Sequence, residues 1–162
     1  MNKFNQIIKR IFDFLVSLLG IVILSPVFII VSIAIKIDSK GSILFLQKRV
    51  GKDGREFNIY KFRTMVTDAE KLGKQITIGN DSRITKVGAF LRKFKIDELP
   101  QLFNVLLGDM SLVGPRPEVP KYVALYNDEQ KKVLSIRPGI TDMASLRYKD
   151  ENDILGKVDN PE

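Results

Sequence analysis

The chain has 162 residues, with 26 Lys and Arg against 19 Asp and Glu and a formal net charge of +7. It holds no cysteine and no histidine, which excludes disulfides, thiol catalysis, thiolate metal sites, imidazole bases and Ser-His-Asp triads. The length fits one modest domain, and the charge favours an anionic partner: nucleic acid, a phosphorylated substrate or an acidic membrane surface. Chemistry is left to Asp, Glu, Lys, Tyr, Ser and Thr, and the metal suited to that set is a hard cation such as Mg²⁺.

Residues 1–10 are short and basic, with Lys3, Lys9 and Arg10. Residues 14–35 carry no charge and are mostly Leu, Ile, Val and Phe. About 20 helical residues cross a bilayer core, so this run is long enough to insert. No small-residue cleavage site follows it, which argues against a signal peptide. Ser25-Pro26 sits in mid-run, where proline removes a helical hydrogen bond and predicts a kink or break. Both flanks are basic: Lys3, Lys9 and Arg10 before, Lys36, Lys40, Lys48 and Arg49 after. The positive-inside rule asks for both on the cytoplasmic side. A re-entrant hairpin that turns at Ser25-Pro26 satisfies that rule, and a kinked span is the alternative. The carbonyl freed by proline needs a donor, and the Ser25 hydroxyl is the candidate.

Two β-prone runs, residues 42–48 and 57–63, flank the turn sequence Gly51-Lys52-Asp53-Gly54 and predict a β-hairpin. Lys61 and Arg63, two apart, share a strand face. A short helix is expected over 68–72. Asn80-Asp81-Ser82 offers a cap for a helix with Ile84, Val87, Leu91 and Phe94 at helical spacing. Leu99, Leu102, Phe103 and Leu106 mark a second amphipathic helix, stopped near Gly108. Leu112 to Pro117 holds two prolines and reads as a rigid extended turn. Tyr122, Val123, Tyr126, Gln130 and Val133 predict a third helix, ended by Arg137-Pro138-Gly139. The polar, acidic tail begins at Tyr148.

Between the first two helices lies the adjacent pair Asp97-Glu98, followed by Leu99-Pro100. Two readings compete. In one, Asp97 caps a helix, Glu98 suits its dipole and Pro100 is tolerated in the first turn. In the other, a carboxylate facing free N–H groups sits where phosphate binds, and an aspartate can attack phosphorus to form an acyl phosphate. That chemistry needs Mg²⁺ and arginines to offset the charge. Arg92, Arg116 and Arg137 lie in or beside rigid segments, and Glu98 is placed to hold the metal.

Three segments carry a resemblance: Asp81-Ser82-Arg83-Ile84-Thr85-Lys86-Val87-Gly88, Asp97-Glu98-Leu99-Pro100-Gln101-Leu102-Phe103-Asn104-Val105, and Gly108-Asp109-Met110-Ser111-Leu112-Val113-Gly114-Pro115-Arg116-Pro117. Together with Lys61-Phe62-Arg63-Thr64-Met65 and Arg137-Pro138-Gly139-Ile140-Thr141, they make the chain resemble the bacterial sugar transferases of the small monotopic polyprenyl-phosphate phosphoglycosyl transferase type. The resemblance implies transfer of a phospho-sugar from a UDP-sugar to undecaprenyl phosphate, with release of UMP, by a covalent two-step route. It makes Asp97 the nucleophile and Glu98 the Mg²⁺-binding partner. It places Arg92 and Arg116 around the phosphate, with Lys61, Arg63 and Arg137 as further nucleotide or lipid phosphate ligands. Ser25-Pro26 matches the break of a re-entrant membrane helix. The implied location is the bacterial inner membrane, with the catalytic part on the cytoplasmic face. Downstream glycosyltransferases and a second copy of the chain are candidate partners, and nucleic acid is not.

The expected fold is α+β and mainly helical. A re-entrant membrane helix hairpin over 1–40 is joined to a cytosolic catalytic domain over 41–162, built from amphipathic helices and a β-hairpin. Asp142-Met143-Ala144-Ser145-Leu146-Arg147 departs from the Gly and Ala-Gln-Val-Asn-Gly that follow Pro-Gly-Ile-Thr in many relatives, and so leaves the sugar unassigned. The chain is expected to stop short of its relatives at the C-terminus and to lack the extra N-terminal membrane domain of the larger ones. The rival readings are a membrane-anchored basic adaptor binding anionic lipid through charge alone, and an inactive subunit that recruits other glycan enzymes.

Overall fold

A computed structural model of the chain describes residues 3–67, 69 and 81–142. The helix expected over 68–72, the tail from Tyr148 and the departure from the relatives beyond Asp142 lie outside these residues.

Helix α1 (Lys3–Asp38) contains Pro26 and is continuous through it, so one helix replaces the two-helix hairpin expected at Ser25-Pro26. The proline leaves the Val22 carbonyl without its N–H partner. The Ser25 hydroxyl donates to that carbonyl at 2.8 Å, as the sequence suggested. At 1.5 Å rise per residue α1 is about 54 Å long. By length and composition it can cross a membrane.

Among the described residues, one stripe of α1 meets the rest of the protein. Asp13 and Ser17 are buried, Gly20 approaches Leu102, Phe28 packs on Phe62 and Phe103, and Val31 and Ile35 are buried with Phe62 and Leu91. These positions recur at three and four residues and stay in register across Pro26, as one helical face requires. The other face, including Phe4, Ile11, Leu15, Leu19, Val22 and Ile29, is more than half exposed. Both ends of α1 touch the same globular domain. Arg10 donates to the Val105 and Leu106 carbonyls near its start. Asp38 accepts from the Val87 N–H at its end.

Strands β1 (Leu44–Val50) and β2 (Glu56–Phe62) form the expected antiparallel hairpin, with Phe45 opposite Lys61 and Gln47 opposite Ile59. The connecting turn closes through the Gly51 N–H to the Arg55 carbonyl, and Asp53 and Gly54 take positive φ there. Helix α2 (Lys86–Lys93) is capped by the Thr85 hydroxyl, which accepts from the Gly88 N–H, and not by Asn80-Asp81-Ser82 as expected. Asp81 is engaged instead by Arg83 at 2.6 Å. Helix α3 (Gln101–Leu107) ends at Gly108, whose φ of 100° suits only a residue without Cβ strain.

Strand β3 (Ser111–Val113) pairs in parallel with β4 (Gly139–Thr141). The single third helix predicted around Tyr122–Val133 is instead α4 (Pro120–Val123), α5 (Asp128–Lys131) and a 3-10 turn (Lys132–Ser135). The break comes at Asn127, whose side chain caps α5 reciprocally with Gln130. A strong local cap starts a new helix more cheaply than the old one continues.

Two apolar clusters hold these parts together. One joins Val31 and Ile35 of α1 to Phe62 and Leu91, and the other joins Ile59, Val105 and Met110. Each such side chain contributes about 1.5–3 kcal/mol when removed from water. α2 approaches the end of β2 so closely that a Cβ on Gly88 would lie 2.0 Å from the Thr64 carbonyl oxygen. Gly88→Ala is therefore expected to destabilise the domain by about 1–3 kcal/mol. Thermal unfolding in detergent micelles measures this, and an unchanged melting temperature refutes the close approach.

Candidate active site

The dyad is set by the join between α2 and α3. After α2 the chain reverses through Lys95, which takes the left-handed φ of 56°. A 3-10 turn (Ile96–Glu98) follows, and α3 starts after Pro100. Neither turn nor helix is capped by a side chain. Asp97 is thus not the N-cap that the first reading expected. It lies inside the turn and is 9% exposed. Its Oδ1 is buried and accepts no hydrogen bond.

Glu98 faces the β-hairpin. Lys61 Nζ donates to Glu98 Oε1 at 2.8 Å, and Arg116 approaches the same oxygen to 3.9 Å. Lys61 is held over Glu98 because α3 is fastened to β2 one residue earlier. The side chain of Asn104, fully buried, accepts from the Tyr60 N–H at 2.9 Å and donates to the Asn58 carbonyl at 2.8 Å. On the other side Arg92 anchors its Nε on the Thr64 hydroxyl at 2.9 Å, and its charge acts on Asp97 and Asp81.

The two carboxylates are driven apart. Burial raises the Asp97 pKa above its ordinary 3.8, and Glu98 adds to the rise; Lys61, Arg92 and Lys95 oppose it. Burial would raise Glu98 too. There the Lys61 charge and hydrogen bond, with Arg116 and Lys95, outweigh it, and Glu98 lies below its ordinary 4.5. One group is a desolvated acid held among cations, and the other is a firmly ionised carboxylate.

The structure brings Asp97, Glu98, Lys61, Arg92 and Arg116 together. It takes Arg63 elsewhere: two residues from Lys61 in sequence, its guanidinium donates to the Ser39 carbonyl at 2.8 Å and to that of Lys40, closing the end of α1. Arg137 donates to the Gly108 carbonyl at 2.8 Å, at the far end of α3 from the dyad. Ser25 and Pro26 lie in α1, apart from the site. A cleft beside Glu98 is lined by Arg49, Lys61, Gln101, Arg116 and the backbone of Gly139. Gln101 has no role in the sequence reading, and Arg49 enters it only as a basic flank of the apolar run, not as a site residue. Arg49 donates to the Pro117 carbonyl at 3.0 Å, and its buried Nε has no partner.

No cluster of three or more acidic ligands exists among the described residues. That donor set suits Mg²⁺ shared with a substrate, because Mg²⁺ is commonly held by one or two carboxylates together with phosphate oxygens and water. The second oxygen of Glu98, whose Oε1 takes the Lys61 bond and faces Arg116, is the protein atom that fits it.

The family model described as bacterial sugar transferase matches residues 4–159. The chain belongs to the bacterial sugar transferase family. The UDP-N-acetylgalactosamine-undecaprenyl-phosphate N-acetylgalactosaminephosphotransferase of Aeromonas hydrophila is 45% identical over 142 residues, covering 86% of this chain and 34% of its own length. The UDP-glucose:undecaprenyl-phosphate glucose-1-phosphate transferase of Klebsiella pneumoniae is 39% identical, over 98% of this chain and 35% of its own. The chain thus spans about a third of these two relatives. Exopolysaccharide production protein PSS of Rhizobium leguminosarum bv. phaseoli is 42% identical, over 97% of this chain and 80% of its own.

The opposed shifts carry opposite signs for stability. Asp97 binds its proton more tightly folded than unfolded, so stability falls as pH rises from 3.8 through its raised pKa. Glu98 does the reverse: its contribution is full above 4.5 and is lost as pH falls through its lowered pKa. At pH 7 Asp97→Asn is expected to melt higher than wild type by about 2–4 °C, on the order of 1 kcal/mol. The gap should close below the ordinary aspartate value of 3.8. Melting curves across pH check this, and a lower melting temperature at pH 7 contradicts the buried-charge account.

Proposed function

We propose that the chain is a polyprenyl-phosphate sugar-1-phosphate transferase. It moves a phospho-sugar from a UDP-sugar to undecaprenyl phosphate and releases UMP, through a covalent intermediate on Asp97. The observation that carries this reading is Asp97 itself: a buried carboxylate with one oxygen unpartnered, set among Lys61, Arg92 and Lys95. A basic adaptor has no use for such a group. The relatives named above supply the substrate class.

In the first step an Asp97 oxygen bonds to the sugar-bearing phosphorus. The bond from that phosphorus to the bridging oxygen breaks, and its electron pair leaves with UMP. The product is an acyl phosphate joining Asp97 to the sugar. In the second step an oxygen of undecaprenyl phosphate attacks the same phosphorus, and Asp97 departs as a carboxylate. Desolvation leaves Asp97 few competing hydrogen bonds, and Lys61 and Arg92 keep its ionised form accessible. Arg116 and Arg49 face the cleft beside Glu98, where phosphate oxygens can be gripped. Bound Mg²⁺ would neutralise diphosphate charge there, with Glu98 as its protein ligand.

The reading includes a place in the cell. The exposed apolar face of α1 enters the inner membrane from the cytoplasmic side. In this reading the helix does not span, which the docking of its two ends on one domain supports. Cysteine labelling in intact cells is expected to find residues near both ends of α1 on the same side. Opposite accessibility sinks the re-entrant arrangement.

The decisive experiment supplies UDP-sugar and Mg²⁺ without lipid acceptor and reads the intact mass. Wild type should gain one phospho-sugar, mapped to Asp97, and the added mass names the sugar. Asp97→Asn should gain none and should release UMP at least about 10³-fold more slowly with acceptor present. An Asp97→Asn chain as active as wild type ends the covalent mechanism.

A further inference from the structure

We propose that Asp13 is a positioning residue for Arg116, so that the active site is assembled only when the first turns of α1 are seated. The inference rests on the reaction proposed above. Asp13 is 3% exposed, just before the uncharged run of α1, and nothing in that reaction uses it. Its carboxylate accepts from the Ser111 hydroxyl at 2.7 Å, the Leu112 N–H at 3.2 Å and Lys9 Nζ at 3.1 Å. Lys9 also meets the Ser111 hydroxyl. Burying these groups is tolerable only because they satisfy one another.

The geometry explains why the carboxylate is there. Among the described residues β3 and β4 form a sheet of two strands, and the outer edge of β3 has no partner strand. The Leu112 N–H lies between the two paired positions, Ser111 with Gly139 and Val113 with Thr141. Asp13 supplies the acceptor that a third strand would supply.

From Leu112 the chain has little slack before Arg116. A Cβ on Gly114 would lie 2.5 Å from the Arg137 carbonyl oxygen, so Gly114 is pressed against the segment leading into β4. Pro115 and Pro117 fix φ on either side of Arg116. A displacement of β3 is therefore carried to Arg116, which stands 3.9 Å from Glu98. The same stretch of α1 grips the other partner. Arg10 donates to the Val105 and Leu106 carbonyls at the end of α3, the helix that begins just after the dyad. Two neighbouring side chains of α1 thus hold both structures that must meet at Glu98.

The test is a double-mutant cycle on the full chain in phosphatidylethanolamine–phosphatidylglycerol liposomes. Asp13→Asn, Arg116→Ala and the double variant are compared by UMP release. Asp13→Asn keeps the side-chain shape and should lower kcat/KM by about tenfold, the scale of a coupling through packed elements. Added to Arg116→Ala it should cost nothing more, because its effect runs through Arg116. Losses that multiply in the double variant overturn the proposal, as does an unchanged kcat/KM in Asp13→Asn. Hydrogen exchange gives a reading independent of turnover. Residues 111–117 should exchange faster in Asp13→Asn while the hairpin over 44–62 does not. A rise spread equally over both, or no rise, overturns the lever. Ser111→Ala removes one of the three bonds to Asp13 and should give the same local pattern at smaller size, which protects the test if Asp13→Asn folds poorly. A wild-type chain that releases no UMP sinks the proposed reaction, and the exchange comparison then decides the role of Asp13 alone.

Discussion

The contact on which the rest of the structure depends is made by Asn104. Its amide joins α3 to β2 by bonds to Tyr60 and Asn58, and its backbone carbonyl accepts from the Gly108, Asp109 and Met110 N–H groups that end α3. One fully buried residue therefore sets the height of α3 on the hairpin and the way the chain leaves it. Unpaired, the groups it satisfies would each cost about 1–3 kcal/mol. That cost makes the register of the two elements unique. Because α3 cannot slide along β2, Lys61 meets Glu98 and not a neighbour.

Around this joint the protein keeps a group that folding does not favour. Asp97 could be hydrated, but the turn draws it inward, where its ionised form is disfavoured. The turn itself requires Lys95 in a left-handed conformation, which a non-glycine residue adopts at a cost of about 1–2 kcal/mol. Local rules are broken at two places in one turn, Lys95 and Asp97, and Ile96 between them packs against the cluster of Val31, Ile35, Phe62 and Leu91. Such conflict is what the proposed chemistry, with Asp97 as a poorly solvated nucleophile, would require. Glu98 shows the contrast: equally near the hairpin, it is matched by Lys61 and Arg116 and so is the comfortable member of the pair.

The dyad, the hairpin, α2 and α3 were legible because each is written locally. Alternation, helical spacing, Gly108 and Pro100 are all signals within ten residues of what they specify. The third helix was misread because the apolar spacing from Tyr122 to Val133 ignores the reciprocal cap at Asn127 and Gln130. Arg63 and Arg137 looked like Lys61 and Arg116, but the carbonyls that claim them come from distant elements. No local pattern distinguishes an arginine that closes a helix end from one that faces a cleft. Asn104, Asp13 and Arg49 were passed over for the same reason. Each acts across more than forty residues of chain, on Asn58, Leu112 and Pro117 respectively.

Contacts between distant parts of the chain also make α1 more than a tether. A helix that only tethered a domain would need an apolar surface and a flexible exit. α1 has the apolar surface, yet its inner stripe is continuous from Asp13 to Asp38, and both ends are bonded to the parts that carry the dyad. The exposed apolar surface also does not stop at α1: Phe90 and Phe94 on α2, and Phe103 and Leu107 on α3, are exposed. Three helices thus offer exposed apolar residues, while the cleft beside Glu98 is lined by Arg49, Lys61 and Arg116. The amphiphilic acceptor proposed above would suit both surfaces, its tail against apolar side chains and its phosphate toward those cations. Among the described residues none of α1 lines the cleft beside Glu98; α1 acts on it through Asp38, which holds α2, and Arg10, which holds α3, the helices between which the dyad is set.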